Sequence, residues 1–439
     1  MIAASARQDI VREKRTLLNW QILTVALLVT GYSGYYLCRS NLSVAMPLIV
    51  AELTQHGMAA SAARIALGSI ASLGTLAYAL GKLPSGAMAD VLGGRRNFLF
   101  GMAGAIVFTL LFAASGAIPL FTLAWIGNRL TQSLGWAGAV KIASKWVSFR
   151  SYGAVMAIIS LSFLFGDAIS REFMAWLIAG GMGWRGIFFV GAGVLTAILV
   201  SCLFLLRESP LAIGQPEPSA NPTNLFAKEE SAPRSLGALL LPLFASPMFR
   251  WACVLSLGTT IVKETFSLWT PTYFVQATGM SASAAASNSA LFPLLGGVSV
   301  LLCGWLSDRL GRGGRATVMV IGLMCAGVAL TSLAVGSTHG SRVWTVVLVS
   351  LVAFMVFGPY SYLAGAMSMD FGGKQASGTT SGLIDCVGYL GGVVSGDSMA
   401  RISIDFGWSG ALMVLAVVAF LSGAAAVAFL MGERRLARA

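Results

Sequence analysis

GAMADVLGGRR at 86–96 and GWLSDRLGRGGR at 304–315 carry one pattern twice: Gly-x-x-x-Asp, then glycine, then basic residues. Each copy closes an apolar run. A helix-end carboxylate (Asp90, Asp308) held against basic side chains (Arg95, Arg312), one turn beyond Gly86 and Gly304, makes a hinge that can break and re-form. One copy alone reads as an ordinary charged turn. Two copies at equivalent positions make the chain a tandem of related halves.

Outward from these loops the chain is apolar. Of 439 residues, 56% are hydrophobic and 10% charged, against about a quarter charged in soluble proteins. Stretches 186–206, 316–341, 345–369 and 406–432 contain no Asp, Glu, Lys or Arg. Each is long enough to cross a hydrocarbon core, which takes roughly 20 helical residues. Lipid leaves backbone polar groups no partner outside the segment, so runs this apolar are helices, and the alternation of a β-barrel is missing. The expected fold is an all-α membrane protein with twelve transmembrane helices, at about 18–50, 62–90, 96–115, 118–144, 152–178, 185–206, 247–277, 282–308, 315–336, 342–367, 376–403 and 408–431. The polar segment after the sixth divides it into a half at 1–206, a cytoplasmic linker at 207–245 and a half at 246–439.

The net charge of +12 is distributed by loop. Arg95 and Arg96, Lys145 and Arg150, Arg309, Arg312 and Arg315, Lys374, and Arg434, Arg435 and Arg438 fall on alternate connections or the C-terminus. This places both termini in the cytoplasm and argues against nucleic acid as a partner. A basic lead (Arg7, Arg12, Lys14, Arg15) before the first helix, without a small-residue cleavage site, reads as a retained anchor. The six cysteines (38, 202, 253, 303, 325, 386) lie in or beside apolar runs with no metal-ligand spacing, and read as packing residues.

A second echo joins the halves. Arg39 precedes Pro47 by eight residues and Lys263 precedes Pro271 by eight, with Ser43 and Ser267 also matching. A mid-membrane cation costs about 2.5–3.5 kcal/mol on insertion scales, so such residues line a cavity or find a partner. Two cations at one position of a parallel repeat make an anion site between the halves. The bland reading of Arg39 is snorkelling to the interface. Glu264 adjoins Lys263, but neighbours on a helix point different ways, which leaves the Lys263 charge to a ligand. Lys82 suits either the cavity or the hinge. Tyr32 and Tyr36 share a helical face with Arg39, and Tyr78 shares one with Lys82, so they read as packing or as ligand contacts. An arginine fork paired with a lysine point charge suits a phosphoryl dianion. Asp167 and Arg171, spaced i,i+4 beside Glu172, read as an internal ion pair. Asp385 and Asp397 lack an evident sequence partner; each suits either pairing with a cavity cation or titration that couples transport to protons.

GYSGYYLCRSNLSVAMPLIV (31–50), AYALGKLPSGAMAD (77–90), QSLGW (132–136), WTPTYF (269–274), LLCGWLSD (301–308) and FGPYSYLAGAMSMD (357–370) resemble the organophosphate:phosphate antiporters of the major facilitator superfamily. The repeated loop resembles that superfamily's loop signature. The resemblance covers both halves and implies phosphoryl binding by Arg39 and Lys263, support from Lys82, Tyr32, Tyr36 and Tyr78, and exchange of a sugar or glycerol phosphate for inorganic phosphate by alternating access. It implies a bacterial inner membrane. Three departures stand out. The seventh-helix cation is Lys, Ala137 and Gly138 replace a double proline, and Phe163 stands near a fifth-helix histidine of the glycerol-3-phosphate branch. Two other readings stay open: a proton-coupled carrier of a small carboxylate, and a transporter-like membrane sensor of sugar phosphate. An enzyme is not expected, since the two histidines (His56, His339) sit in loops and no nucleophile–base pair, phosphate loop, metal cluster or cofactor motif is present. A cavity enclosed by one chain suits a monomer.

Overall fold

The computed structural model describes residues 2–218, 243–311, 313–336 and 341–436. Among them are helices and loops and no strand. In the N-terminal half the helices are α1 (Ile2–Leu37), α2 (Asn41–Gln55), α3 (Ala60–Leu92), α4 (Gly94–Ala114), α5 (Ile118–Trp146), α6 (Phe149–Ala179) and α7 (Trp184–Leu205). In the C-terminal half they are α8 (Pro247–Thr278), α9 (Ala282–Ser289), α10 (Leu291–Leu310), α11 (Gly314–Gly336), α12 (Arg342–Ala364), α13 (Ala366–Val394), α14 (Asp397–Asp405) and α15 (Gly407–Leu436). Three pairs, α1 with α2, α9 with α10 and α13 with α14, are single crossings interrupted by one to three residues. The described residues thus make twelve crossings. Of the expected linker, only the two ends lie among them.

Eight crossings are long and apolar enough to span a membrane by length and composition. The other four are built on α5, α6, α8 and α13, which carry Arg129, Asp167 with Arg171, Lys263 with Glu264, and Asp385. The four helices that fall short in hydropathy each carry charged residues on the cavity between the halves.

The expected uninterrupted helix at 18–50 is broken at Cys38–Ser40, which corrects the reading of that run as continuous. Apolar composition reports burial and not hydrogen bonding, so it could not show the break. Bare carbonyls are tolerated at membrane depth only where protein satisfies them. Here Gln132 Nε2 donates to the Cys38 carbonyl at 3.1 Å, and Ser40 Oγ bonds the Asp167 carboxylate. At the break in the eleventh crossing, Trp269 Nε1 donates to Ser395 O at 2.8 Å, and Ser72 Oγ donates to Val393 O at 2.6 Å.

The packing is asymmetric along the bundle. At the end carrying the chain termini, each half has its own apolar core. One gathers Leu28, Phe98, Ile142, Trp146 and Leu195, and the other gathers Phe249, Met319, Leu363 and Phe429. Toward the opposite end a single core runs through both halves, from Leu42, Phe112 and Trp184 to Phe266, Phe292 and Val352. Hydrogen bonds between the halves concentrate there too. Ser43 Oγ reaches Leu268 O (2.7 Å), Ser69 Oγ reaches Asp397 Oδ1 (2.6 Å), Ser283 Oγ reaches Ala175 O (2.9 Å), and Arg171 reaches Ser267 O (2.7 Å) and Ser289 Oγ (3.1 Å). Gly68 and Gly396 bring α3 and the eleventh crossing into backbone contact: a Cβ on Gly68 would lie 2.9 Å from Gly396 O. Among the described residues the halves share a core at one end and keep separate cores at the other.

Candidate functional site in the central cavity

Between the halves lies a cavity of about 580 Å³, which reaches from the cation cluster to Gly304, Ser307 and Arg315 near the terminal end. The α1/α2 break places Arg39 on its wall, α3 supplies Tyr78 and Lys82, and α5 supplies Arg129 and Trp136. Opposite stand Lys263 and Glu264 of α8, Tyr360 of α12, and Asp385 and Tyr389 of α13.

Tyrosine rings organise the cations. The Arg39 guanidinium lies 4.5 Å from the Tyr78 ring centroid and 5.3 Å from that of Tyr36. Arg129 lies 4.7 Å from the same Tyr78 ring. Lys82 Nζ sits 4.9 Å from the Tyr389 centroid and Lys263 Nζ 4.5 Å from that of Tyr360. Tyr78 and Tyr389 meet edge to face at 5.2 Å, across the seam between the halves. Each ring presents its negative face to a cation that lipid would not tolerate alone.

Carboxylates complete the lattice. Lys82 Nζ is 2.8 Å from Asp385 Oδ2, an ion pair between residues 303 apart in sequence. Lys82 therefore belongs to the cavity and not to the hinge. Lys263 Nζ is 2.7 Å from Glu264 Oε1, which corrects the expectation that this charge stands unengaged. The Cβ atoms of adjacent residues do diverge, but both stems are long and bend into the same cavity. Asp167 and Arg171 form the buried i,i+4 pair at 2.9 Å.

The structure brings together Arg39, Lys263, Lys82, Tyr32, Tyr36, Tyr78, Asp385 and Gly304 on one cavity. Tyr32 packs against Trp136 at 5.3 Å. Asp397 is elsewhere. It pairs with Arg401 at 2.8 Å, an i,i+4 partner the sequence reading overlooked, and accepts from Ser69. Arg95 lies at the start of α4, where its side chain donates to Leu206 O and Leu203 O at 2.6 Å. Beside it Glu208 accepts from Gly94 N, Arg95 N and Lys145 Nζ. Burial raises this carboxyl's pKa, but those donors more than offset it and hold it below the usual glutamate value. Gly86, Asp90, Asp308 and Arg312 lie outside the residues whose side chains are described.

Sequence reasoning missed Arg129, Tyr360 and Tyr389. Arg129 was detectable as a cation inside the apolar run 118–144, by the rule that drew attention to Arg39. The two tyrosines offered no such signal, since an aromatic in an apolar helix is ordinary.

The sequence model of the Major Facilitator Superfamily matches residues 28–396. The chain is 26% identical to the "Probable hexose phosphate transport protein" of Chlamydia muridarum, over 92% of this chain and 90% of that protein. It is 25% identical to the "Glycerol-3-phosphate transporter" of Bacillus subtilis strain 168, over 88% of this chain and 86% of that one. Among solved structures, a bacterial homolog of the human lysosomal transporter Spinster, crystallised inward-facing and unoccupied, superposes with a TM-score of 0.76 at 14% identity, covering 94% of this chain and 97% of that one. The duplicated six-helix architecture and the family match give one conclusion: the chain belongs to the Major Facilitator Superfamily.

Proposed function

We propose that the chain is a secondary transporter that moves a small organophosphate, such as a sugar or glycerol phosphate, across a bacterial inner membrane in exchange for inorganic phosphate. The observation that carries this reading is the convergence of basic side chains from both halves on one tyrosine-lined cavity. The names of the relatives, a hexose phosphate and a glycerol-3-phosphate transporter, support the phosphorylated class.

In this reading Arg39 takes the phosphoryl group with its planar fork. Lys263 and Lys82 are held by Glu264 and Asp385 until a substrate anion competes for them. Tyr32, Tyr36 and Tyr78 shape the seat. The terminal end faces the cytoplasm, as its basic loops favour, so the described arrangement is open inward. Rocking of the halves about the site, with the repeated Asp90 and Asp308 loops as hinges, exposes the cavity to the other side. Both phosphate and organophosphate use the same seat, which makes exchange the natural cycle. One chain encloses the whole cavity, so a monomer suffices.

The test is uptake of labelled phosphate into phosphate-loaded proteoliposomes, competed by a panel of organophosphates. Competition by one of them, and its own counterflow, are the expected outcomes. Absence of phosphate exchange together with uptake driven by a proton gradient would replace this reading with the carboxylate carrier, and Asp385 would then be the first acid to examine. Binding of a sugar phosphate without any transport would replace it with a sensor.

A further inference from the structure

Cations on the cavity wall divide into two kinds. Lys82, Lys263, Arg171 and Arg315 each lie within 2.9 Å of a carboxylate oxygen. Arg39 and Arg129 do not: among the described residues no carboxylate lies within ion-pair reach of either guanidinium. Arg129 is only 4% exposed. A buried guanidinium without an acid is costly, and the face of a tyrosine offsets only part of that cost. Its position is nevertheless built. Gly74 on α3 lacks the side chain that would fill its place, since a Cβ there would lie 2.9 Å from Arg129 Cγ. Asn128, the preceding residue, anchors α5 through bonds to Thr109 Oγ1 at 2.9 Å and Ala105 O at 3.2 Å. Both guanidiniums then converge on one ring, at 4.5 and 4.7 Å from the Tyr78 centroid.

From this we infer that Arg129 is a substrate-binding residue, and that Arg39 and Arg129 together form a two-guanidinium seat, set around Tyr78 on the N-terminal half, for the doubly charged group of the ligand. The charge balance fits. The paired cations are neutralised locally, and the two remaining positive charges match a dianion. The inference rests on the anion-carrier reading above and deepens it. The first grip on the ligand comes from one half alone, and the lysines Lys82 and Lys263 are engaged second, after parting from their acids.

The experiment measures binding of inorganic phosphate to the purified full-length protein by tryptophan fluorescence, since Trp125 and Trp136 line the cavity. It is run at about pH 8 and about pH 5.5, on the two sides of the ligand's second ionisation. The wild type is expected to prefer the dianion. Arg129→Gln and Arg129→Ala are expected to raise the dissociation constant roughly 10- to 100-fold at the higher pH, the loss of one charge-assisted interaction, and to flatten the preference. Arg129→Lys keeps a charge over the ring and should retain the preference with a smaller loss. Should the Ala variant fail to fold, Gln against Lys decides. Binding within twofold of wild type in the Gln variant, or an equal loss at both pH values as a purely structural role would give, overturns the inference. Succinate serves as a second dianion. If the wild type binds succinate but not phosphate, and Arg129→Gln abolishes it, the two-guanidinium seat stands and the organophosphate reading falls. A wild type that binds neither overturns both.

Discussion

Glu264 lies 2.7 Å from the Lys263 ammonium inside the cavity that, in the proposed function, receives an anion. A carboxylate there competes with the substrate for the same cation, and so prevents the cavity from holding its ligand too tightly. Glu264→Gln should therefore strengthen phosphate binding several-fold while slowing exchange, because release becomes limiting. Equilibrium binding beside proteoliposome exchange separates the two effects, and unchanged affinity would show that the pair does not open to admit the ligand. Lys263→Ala and Arg39→Ala should each abolish exchange with normal amounts of protein in the membrane. Normal exchange by either would remove it from the site. Arg39 and Lys263 could be placed on a cavity from sequence because each repeats the other's position and a mid-membrane cation is costly without a cavity or a partner. The Lys82–Asp385 bond could not, because its members are 303 residues apart and no local pattern links them. Arg129 carried the same signal as Arg39 but lacked a counterpart in the other half, so a search guided by the repeat passed over it.

Among the elements, the broken first crossing matters most. The break at Cys38–Ser40 sets Arg39 on the cavity wall in place of a helical register, and Gln132 on α5 holds it by donating from Nε2 to the Cys38 carbonyl, which would otherwise be bare. Gln132→Leu should destabilise the fold by about 1–3 kcal/mol, the range for a buried polar group left unpaired, and weaken phosphate binding as Arg39 loses its place. Thermal unfolding in detergent and a binding titration test both. Helix periods and span counts were readable from apolar runs. The interruptions were not, since residues near a break are as apolar as those within a helix. At the terminal end, Glu208 caps the first turn of α4, where free N–H groups favour a carboxylate. Its pKa lies below the ordinary value when folded. The stability it contributes is therefore fully present above the ordinary glutamate value and is lost as pH falls through the depressed one. Glu208→Gln should remove that part of the pH dependence, as read from melting temperatures over the acidic range.

On the scale of the molecule, the described residues form one shared apolar core and two separate ones at the terminal end, the arrangement expected of the proposed inward-open state. Arg171 helps keep the other end shut, reaching from α6 to Ser267 and Ser289 on the C-terminal half. Arg171→Ala should loosen that end. A cysteine placed at Ser43, in the seam, should then react several-fold faster with a membrane-impermeant maleimide added from outside, and an unchanged rate would show that the apolar core alone holds the seam. Twofold architecture was legible from the repeated loops. Which end stands open was not, because a chain that alternates as proposed would have to encode both arrangements.

The contact of Gly68 with Gly396 bears on how readily that seam can part. Where interlocking side chains bind two surfaces, separation must first undo a fitted arrangement and then re-form it on return. Two bare stretches of backbone, joined by hydrogen bonds from the small hydroxyls of Ser69 and Ser72, leave no interlocked side chains to disentangle. In the proposed cycle such a contact can come apart and meet again without any side chain having to repack.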